Sequence, residues 1–128
     1  MIFVDTSVWV EALRRRDSKE AVRLDRLLEA DEVAIAAPVR FELLSGASAD
    51  ERRGLKRALS AIPTFFPSDP TWALLDDWVM TVGAAGERFG FADSLIAALA
   101  AEQGAPIWSL DKDFGRMARL KLVSVYRP

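Results

Sequence analysis

Short apolar runs alternate with helical segments along the whole chain, and this alternation restricts the possible folds more than any other feature. The runs Ile2–Val4, Val33–Ala36 and Ile107–Leu110 are strand-like, and segments with apolar residues at three- and four-residue spacing separate them. A weaker strand is predicted at Thr64–Phe66, and Leu122–Val125 is predicted to be the last strand. Alternating strands and helices favour a mostly parallel sheet of about five strands, covered on both faces in a three-layer α/β/α arrangement.

The size of the chain predicts a single domain. Its 128 residues, of which 51% are apolar, suffice for one sizeable core and leave no length for a second. The beginning of the chain lacks the positive region and cleavage site of a signal peptide, and no apolar run reaches the ~18 residues of a membrane span. We therefore expect one domain over residues 1–128, soluble and located in the cytoplasm.

The absence of cysteine and histidine excludes several kinds of chemistry. Disulfides, thiolate nucleophiles, histidine-ligated zinc and imidazole bases are all ruled out. Carboxylates, hydroxyls, amines and bound ions remain. Seventeen basic and nineteen acidic residues give a net charge of −2, so a nucleic-acid partner would have to be held by metal ions and local basic patches.

Two of the predicted helices carry the strongest apolar patterns. Residues Phe91–Gln103 are apolar on almost every side, which predicts a helix deep in the fold. The helix that begins near Ser68 places apolar residues at three- and four-residue steps, which predicts a buried stripe of Trp72, Leu75, Trp78, Val79 and Val82.

Four carboxylates occupy positions where an α/β fold would place a ligand site. Asp5 and Asp111 directly follow two strands, and the carboxyl ends of strands border ligand sites where the strand order reverses. Asp93 lies in the first turn of the most apolar helix, and Glu42 is flanked by Phe41 and further apolar residues. Each also has a structural interpretation: a helix cap for the aspartates and a solvated edge for Glu42.

Carboxylates gathered in one crevice would repel each other unless a cation bound between them. An oxygen-only site selects a hard ion such as Mg²⁺ or Mn²⁺, which retains waters and binds phosphate oxygens. Such an ion can activate water for attack on a phosphodiester. The pattern therefore favours metal-dependent phosphoryl chemistry.

Four segments resemble the acidic motifs of PIN domains. They are Ile-Phe-Val-Asp5-Thr6-Ser7-Val-Trp, Glu42-Leu-Leu-Ser-Gly46, Phe91-Ala-Asp93-Ser-Leu-Ile-Ala-Ala and Ser109-Leu-Asp111-Lys-Asp113-Phe114. Each motif alone is short, but their order and spacing cover nearly the whole chain. The chain is similar in size to the VapC toxins of prokaryotic toxin–antitoxin pairs.

This resemblance implies a Mg²⁺- or Mn²⁺-dependent endoribonuclease whose catalytic and metal-binding residues are Asp5, Glu42, Asp93 and Asp111. Thr6 or Ser7 would support the first acid by hydrogen bonding. Asp113 is a second acid in the last motif and is expected to have a supporting role, although its division of roles with Asp111 stays open. Ser109 stands where threonine is commoner in the family.

The resemblance also implies partners. It suggests a structured RNA substrate such as tRNA or rRNA, a homodimer, and a VapB-like antitoxin whose apolar helix fills a groove beside the acidic site. Two basic clusters are either solvated helix faces or contacts for RNA phosphates, namely Arg14–Arg16 and Arg52, Arg53, Lys56 and Arg57.

Other functions compete with the toxin interpretation. A PIN nuclease of RNA processing would carry the same acids. A receiver-type signalling domain would also have a parallel sheet and a Mg²⁺ site, but it requires paired acids after the first strand, and Asp5 has no acidic neighbour. A non-catalytic PIN-like module would be expected to lack one of the four acids.

Overall fold

A computed structural model describes all of residues 1–128. Its strands are β1 (Ile2–Val4), β2 (Val33–Ala36), β3 (Thr64–Phe65) and β4 (Ile107–Trp108). Its helices are α1 (Thr6–Arg14), α2 (Lys19–Glu29), α3 (Ala37–Gly46), α4 (Ala49–Ser60), α5 (Asp69–Ala84), α6 (Phe91–Glu102) and α7 (Lys112–Arg119). None of these helices combines the length and apolar character that crossing a lipid bilayer requires.

The strands form one fully parallel sheet in the order β3-β2-β1-β4, flanked by helices. The predicted α/β class is confirmed, with four strands rather than about five. The segment predicted as the last strand makes a single bridge, between Val125 and Ile107. Its neighbour β4 is only two residues long, so there is little strand to pair with.

The strand order reverses between β1 and β4. From β1 the chain proceeds outward through β2 and β3, and then crosses to the opposite side of β1 to form β4. Val4 pairs with Trp108, and the backbone N–H of Asp5 donates to the Trp108 carbonyl at 2.9 Å. Asp5 and Ser109 therefore emerge side by side at the edge where α/β sheets bind ligands.

Helix α6 lies in the centre of the core. All residues from Leu95 to Ala100 are buried, and all of them except Ala98 belong to one cluster of 26 buried apolar residues. The predicted deep helix is confirmed. Because α6 is held on all sides, Asp93 in its first turn has a fixed position.

The stripe predicted to be buried on α5 is confirmed only in part, because Leu75 and Trp78 are half-buried and pack against the core whereas other members are exposed. Thr71 is the only buried residue of this helix, and Trp72 and Val79 are 44% and 68% exposed. The Thr71 hydroxyl accepts from the Ser68 backbone N–H and donates to Oε1 of Glu102 at 2.5 Å. Helix α5 thus packs on α6 through one side and leaves most of its apolar residues at the surface.

Candidate metal centre

Three carboxylates converge beyond the carboxyl end of β4. Oxygen atoms of Asp93, Asp111 and Asp113 all lie within 4.8 Å of one another. Asp93 comes from the start of α6, whereas the other two come from the start of α7. Two of the four acids predicted to bind metal are therefore adjacent, and Asp113, which was predicted to have a supporting role, completes the triad.

Asp5 is buried, with only 6% of its surface exposed. It precedes α1 at the N-cap position, but its side chain makes no capping hydrogen bond. Its Oδ2 instead accepts hydrogen bonds from the hydroxyls of Ser7 at 2.9 Å and Ser109 at 2.7 Å. The capping interpretation therefore does not explain this carboxylate, whose Oδ1 accepts no hydrogen bond from the protein.

Backbone N–H groups orient both serines toward Asp5. The Ser7 hydroxyl accepts from Leu110 N at 3.0 Å, and the Ser109 hydroxyl accepts from Asp111 N at 2.9 Å. Each serine hydroxyl accepts through a lone pair and keeps its single hydrogen free. Both hydroxyls can therefore donate to Asp5. Support by Ser7 was predicted, but the role of Ser109 was missed, although its place as the first residue of the last acidic motif was a signal.

Glu42 lies on the exposed side of α3, next to Phe41, which is 72% exposed. Of the two interpretations that the sequence left open for Glu42, the solvated edge position is therefore the one found in the structure. The Thr6 hydroxyl donates to Oε1 of Glu42 at 3.0 Å, so Thr6 supports Glu42 rather than Asp5. The contact links the start of α1 to α3.

Asp111 has two roles in the structure. It is the N-cap of α7, and its Oδ1 accepts from the backbone N–H of Asp113 at 2.9 Å. It is also a member of the acidic triad. The structural interpretation of Asp111 is thus correct, and it is compatible with a ligand role because the second carboxylate oxygen accepts no hydrogen bond from the protein.

Burial and the negative charge of the site have a clear effect on the pKa of Asp93. Burial, and after it the negative charges of Asp111, Asp5, Asp113 and Glu42 in decreasing order, together raise the pKa of this carboxyl from 3.8 to about 6. Asp5 and Glu42 therefore act on Asp93 across the site although they lie outside the triad. All five carboxylates belong to one electrostatic unit.

Arg116 provides the cation beside this unit. Its Nη1 donates to Oδ1 of Asp113 at 2.8 Å, and its Nε donates to Oε2 of Glu87 at 2.8 Å. The guanidinium also lies 4.9 Å from the centre of the Phe89 ring. The hydrogen bond with Glu87 is the main reason that the pKa of Arg116 is raised. Sequence patterns did not point to this residue, because its main partner Glu87 lies 29 positions away.

The residues present fit a hard divalent ion. Four carboxylates act on Asp93, Arg116 pairs with one of them, and serine and threonine hydroxyls supply further polar contacts. Oxygen ligands of this kind suit Mg²⁺ and Mn²⁺. The raised pKa of Asp93 shows that burial and the neighbouring carboxylates disfavour its charged form, and a bound cation would offset both effects.

Comparison with known proteins identifies the family. The PIN domain family matches residues 2–120. The chain therefore belongs to the PIN-domain family, as its acidic motifs suggested.

Two curated relatives are VapC ribonucleases of Mycobacterium tuberculosis. VapC11 is 38% identical over 130 residues, covering 94% of this chain and 93% of that protein. VapC18 is 32% identical over 129 residues, covering 94% and 90%. The chain is thus similar to VapC ribonucleases over almost its whole length.

Solved structures with the same fold include toxin–antitoxin complexes. VapBC2 from Rickettsia felis, bound to a promoter DNA fragment, has a TM-score of 0.79 at 19% identity and covers 98% of both chains. FitAcB from Neisseria gonorrhoeae has a TM-score of 0.76 at 25% identity and covers 100% of this chain and 98% of the other. These likenesses confirm the PIN fold.

Proposed function

We propose that this chain is a metal-dependent endoribonuclease of the VapC type. The convergence of Asp93, Asp111 and Asp113 near buried Asp5, in a PIN fold, is the observation that carries the proposal. Similarity to VapC ribonucleases supports RNA as the substrate. The expected class of structured RNA, such as tRNA or rRNA, and the cytoplasmic location stay predictions.

We assign metal binding to Asp5, Glu42, Asp93 and Asp111, with Asp113 contributing through the triad. A Mg²⁺ or Mn²⁺ ion bound there would activate water and stabilise charge on the phosphodiester. Ser7 and Ser109 hold Asp5 so that Oδ1 is available, and Thr6 orients Glu42. Arg116 fixes the carboxylate of Asp113.

Incubation of the purified protein with total RNA tests the proposed activity. We expect cleavage with Mg²⁺ or Mn²⁺, loss of cleavage with excess chelator, and recovery when metal is restored. Undiminished cleavage in excess chelator would contradict the metal mechanism, and no cleavage with either metal would contradict the ribonuclease assignment.

A second part of the proposal is a VapB-like antitoxin partner. An apolar cavity of about 650 Å³ lies between α1, α2 and α4, with Trp9, Leu13 and Leu55 among its lining residues. The indole Nε1 of Trp9 is buried there without a hydrogen-bond partner. Because α1 begins beside the acidic site, a partner helix in this groove could extend a basic residue toward the carboxylates.

Co-expression tests the toxin and its partner together. Production of the chain alone should stop growth, and the cognate partner should restore it. Leu13, which is 48% exposed, can be changed to Glu without disturbing the core, and Leu13→Glu should remain toxic but escape the partner. A chain that cleaves RNA but is harmless to the producing cell would favour a PIN nuclease of RNA processing.

The predicted homodimer has a candidate surface. Trp72 stacks on Phe91 with ring centres 6.1 Å apart, and both rings are exposed, as are Val79 and Met80 on α5. Exposed apolar patches of this kind commonly mark protein interfaces. We propose that a second copy covers this face. Val79→Glu should then give a monomer in sedimentation experiments, and an unchanged dimer would contradict the assignment.

A further inference from the structure

A basic cavity lies on the far side of β4 from β1, next to the acidic site. Its volume is about 700 Å³, within the range of roughly 300–1,000 Å³ that small-molecule sites occupy. Ser109 and Leu110 form part of its wall. These two residues also contact the metal centre, since Ser109 donates to Asp5 and Leu110 N donates to Ser7. The cavity and the acidic site therefore share a wall.

Four cationic side chains from two separate segments line this cavity. Lys19, Arg23 and Arg26 occur at positions i, i+4 and i+7 of α2, which places them on one side of that helix, and Arg127 approaches from the C-terminal segment. Glu20 is the only acidic side chain in the wall. None of the four cations forms an ion pair within the protein.

The basic clusters that stand out in the sequence are partly committed to other contacts. Arg16 pairs with Asp25 at 2.7 Å, and Arg15 lies 3.6 Å from Glu11. Arg52 donates to the carbonyls of Leu44 and Ala47, and so supplies hydrogen bonds to carbonyl groups at the C-terminal end of α3. The cavity thus offers a concentration of uncommitted positive charge that no run in the sequence reveals.

We propose that this cavity binds RNA phosphates next to the scissile one. This inference rests on the proposed ribonuclease function and adds the place where the strand leaves the acidic site. A protein with a net charge of −2 has to attract a polyanion through local cations. Tyr126, which packs edge-on against Trp108, supplies an aromatic ring in the same wall for contact with a base. That combination favours a nucleotide strand over an acidic polypeptide.

The test compares two triple variants with the same change in charge. Arg23→Gln, Arg26→Gln and Arg127→Gln remove cations from the cavity. Arg53→Gln, Lys56→Gln and Arg57→Gln remove exposed cations from α4, the basic cluster that is the rival candidate for contact with RNA phosphates. Binding of a single-stranded RNA oligomer is measured by fluorescence anisotropy in chelator, where no metal-dependent cleavage occurs, over a range of salt concentrations. Cleavage with Mg²⁺ is measured in parallel, and thermal melts establish that each variant is folded.

We expect the cavity variant to bind RNA at least about tenfold more weakly than the α4 variant. The slope of log affinity against log salt should fall by about 2, because three phosphate contacts contribute roughly 0.7 each on single strands. The KM for cleavage should rise more than kcat falls. If the triple variant does not fold, the single variant Arg127→Gln, at an exposed position, is measured instead. It should show a smaller change in the same direction.

Three outcomes would overturn the proposal. If the wild-type protein cleaves RNA and the cavity variant matches the α4 variant in affinity and salt slope, the subsite is wrong while the ribonuclease function stands. If the cavity variant binds RNA normally but loses an acidic protein partner, the cavity is a protein site. If the wild-type protein cleaves no RNA, the proposed function fails and the subsite fails with it.

Discussion

Arg116 donates a hydrogen bond to Asp113 at 2.8 Å, so one member of the acidic triad is already paired with an internal cation. The same guanidinium bonds to Glu87 in the connection between α5 and α6. Arg116 therefore reduces the repulsion within the site before any metal binds. It also limits how far Asp113 can turn toward an ion.

Replacing Arg116 should make the metal-free protein less stable and its response to Mg²⁺ larger. Arg116→Gln keeps much of the side chain but leaves Asp113 and Glu87 without their cation. Thermal melts with and without Mg²⁺ measure both effects. Arg119→Gln, an exposed residue of the same helix without an ion pair, is the control. Equal melting curves for the two variants would show that Arg116 does not balance the site.

The raised pKa of Asp93 predicts an unusual dependence of stability on pH. A carboxyl whose pKa is higher in the folded state than in the unfolded state holds its proton more tightly when folded. The stabilising contribution of Asp93 to the free energy of unfolding is therefore complete below about pH 4, and it is lost as the pH rises through about 6.

Asp93→Asn should remove this dependence. The metal-free variant should match the wild type near pH 4 and be more stable than it at pH 7 by a few degrees in melting temperature. Chemical or thermal unfolding in chelator across this pH range is the measurement. A variant that is much less stable than the wild type at both pH values would mean that Asp93 is a structural residue of α6.

The hydroxyl of Ser109, one of the two that donate to Asp5, should be required for full activity. Ser109→Ala removes one donor to a buried carboxylate and should lower the free energy of unfolding by about 1 kcal/mol. Cleavage should fall because Asp5 is free to turn. Ser109→Thr retains the hydroxyl and should restore activity, and equal activity of the alanine and threonine variants would show that the hydrogen bond does not position Asp5.

Thr71 offers a test of the fold away from the site. Thr71→Val keeps the volume of the side chain but leaves Glu102 and the Ser68 N–H without their partner. The expected loss is about 1 to 3 kcal/mol, the cost of unsatisfied polar groups. Denaturant unfolding measures it, and a neutral substitution would show that the bond between α5 and α6 is dispensable.

The sequence predicted the elements of the fold and the polar segments of the site, because both depend on local patterns. Periodicity located β1, β2 and the deep helix α6, and the acids that follow β1 and β4 were identified from the strand ends. Periodicity could not show that the apolar side of α5 stays open, since an interface stripe and a core stripe have the same spacing. The role of Arg116 and the basic cavity beside Ser109 depend on contacts between distant segments, which local patterns do not report.

The central claim is that Asp93 and its neighbouring acids bind the ion that RNA cleavage requires. The most direct measurement is single-turnover cleavage of an end-labelled RNA over a range of Mg²⁺ concentrations, with calorimetric titration of Mn²⁺ into the same proteins. Asp93→Asn is compared with Asp50→Asn, which changes an exposed carboxylate in the first turn of α4. We predict that Asp93→Asn weakens Mn²⁺ binding and slows cleavage at least about 100-fold, while Asp50→Asn behaves as the wild type. Normal Mn²⁺ binding and normal cleavage by Asp93→Asn would contradict the account.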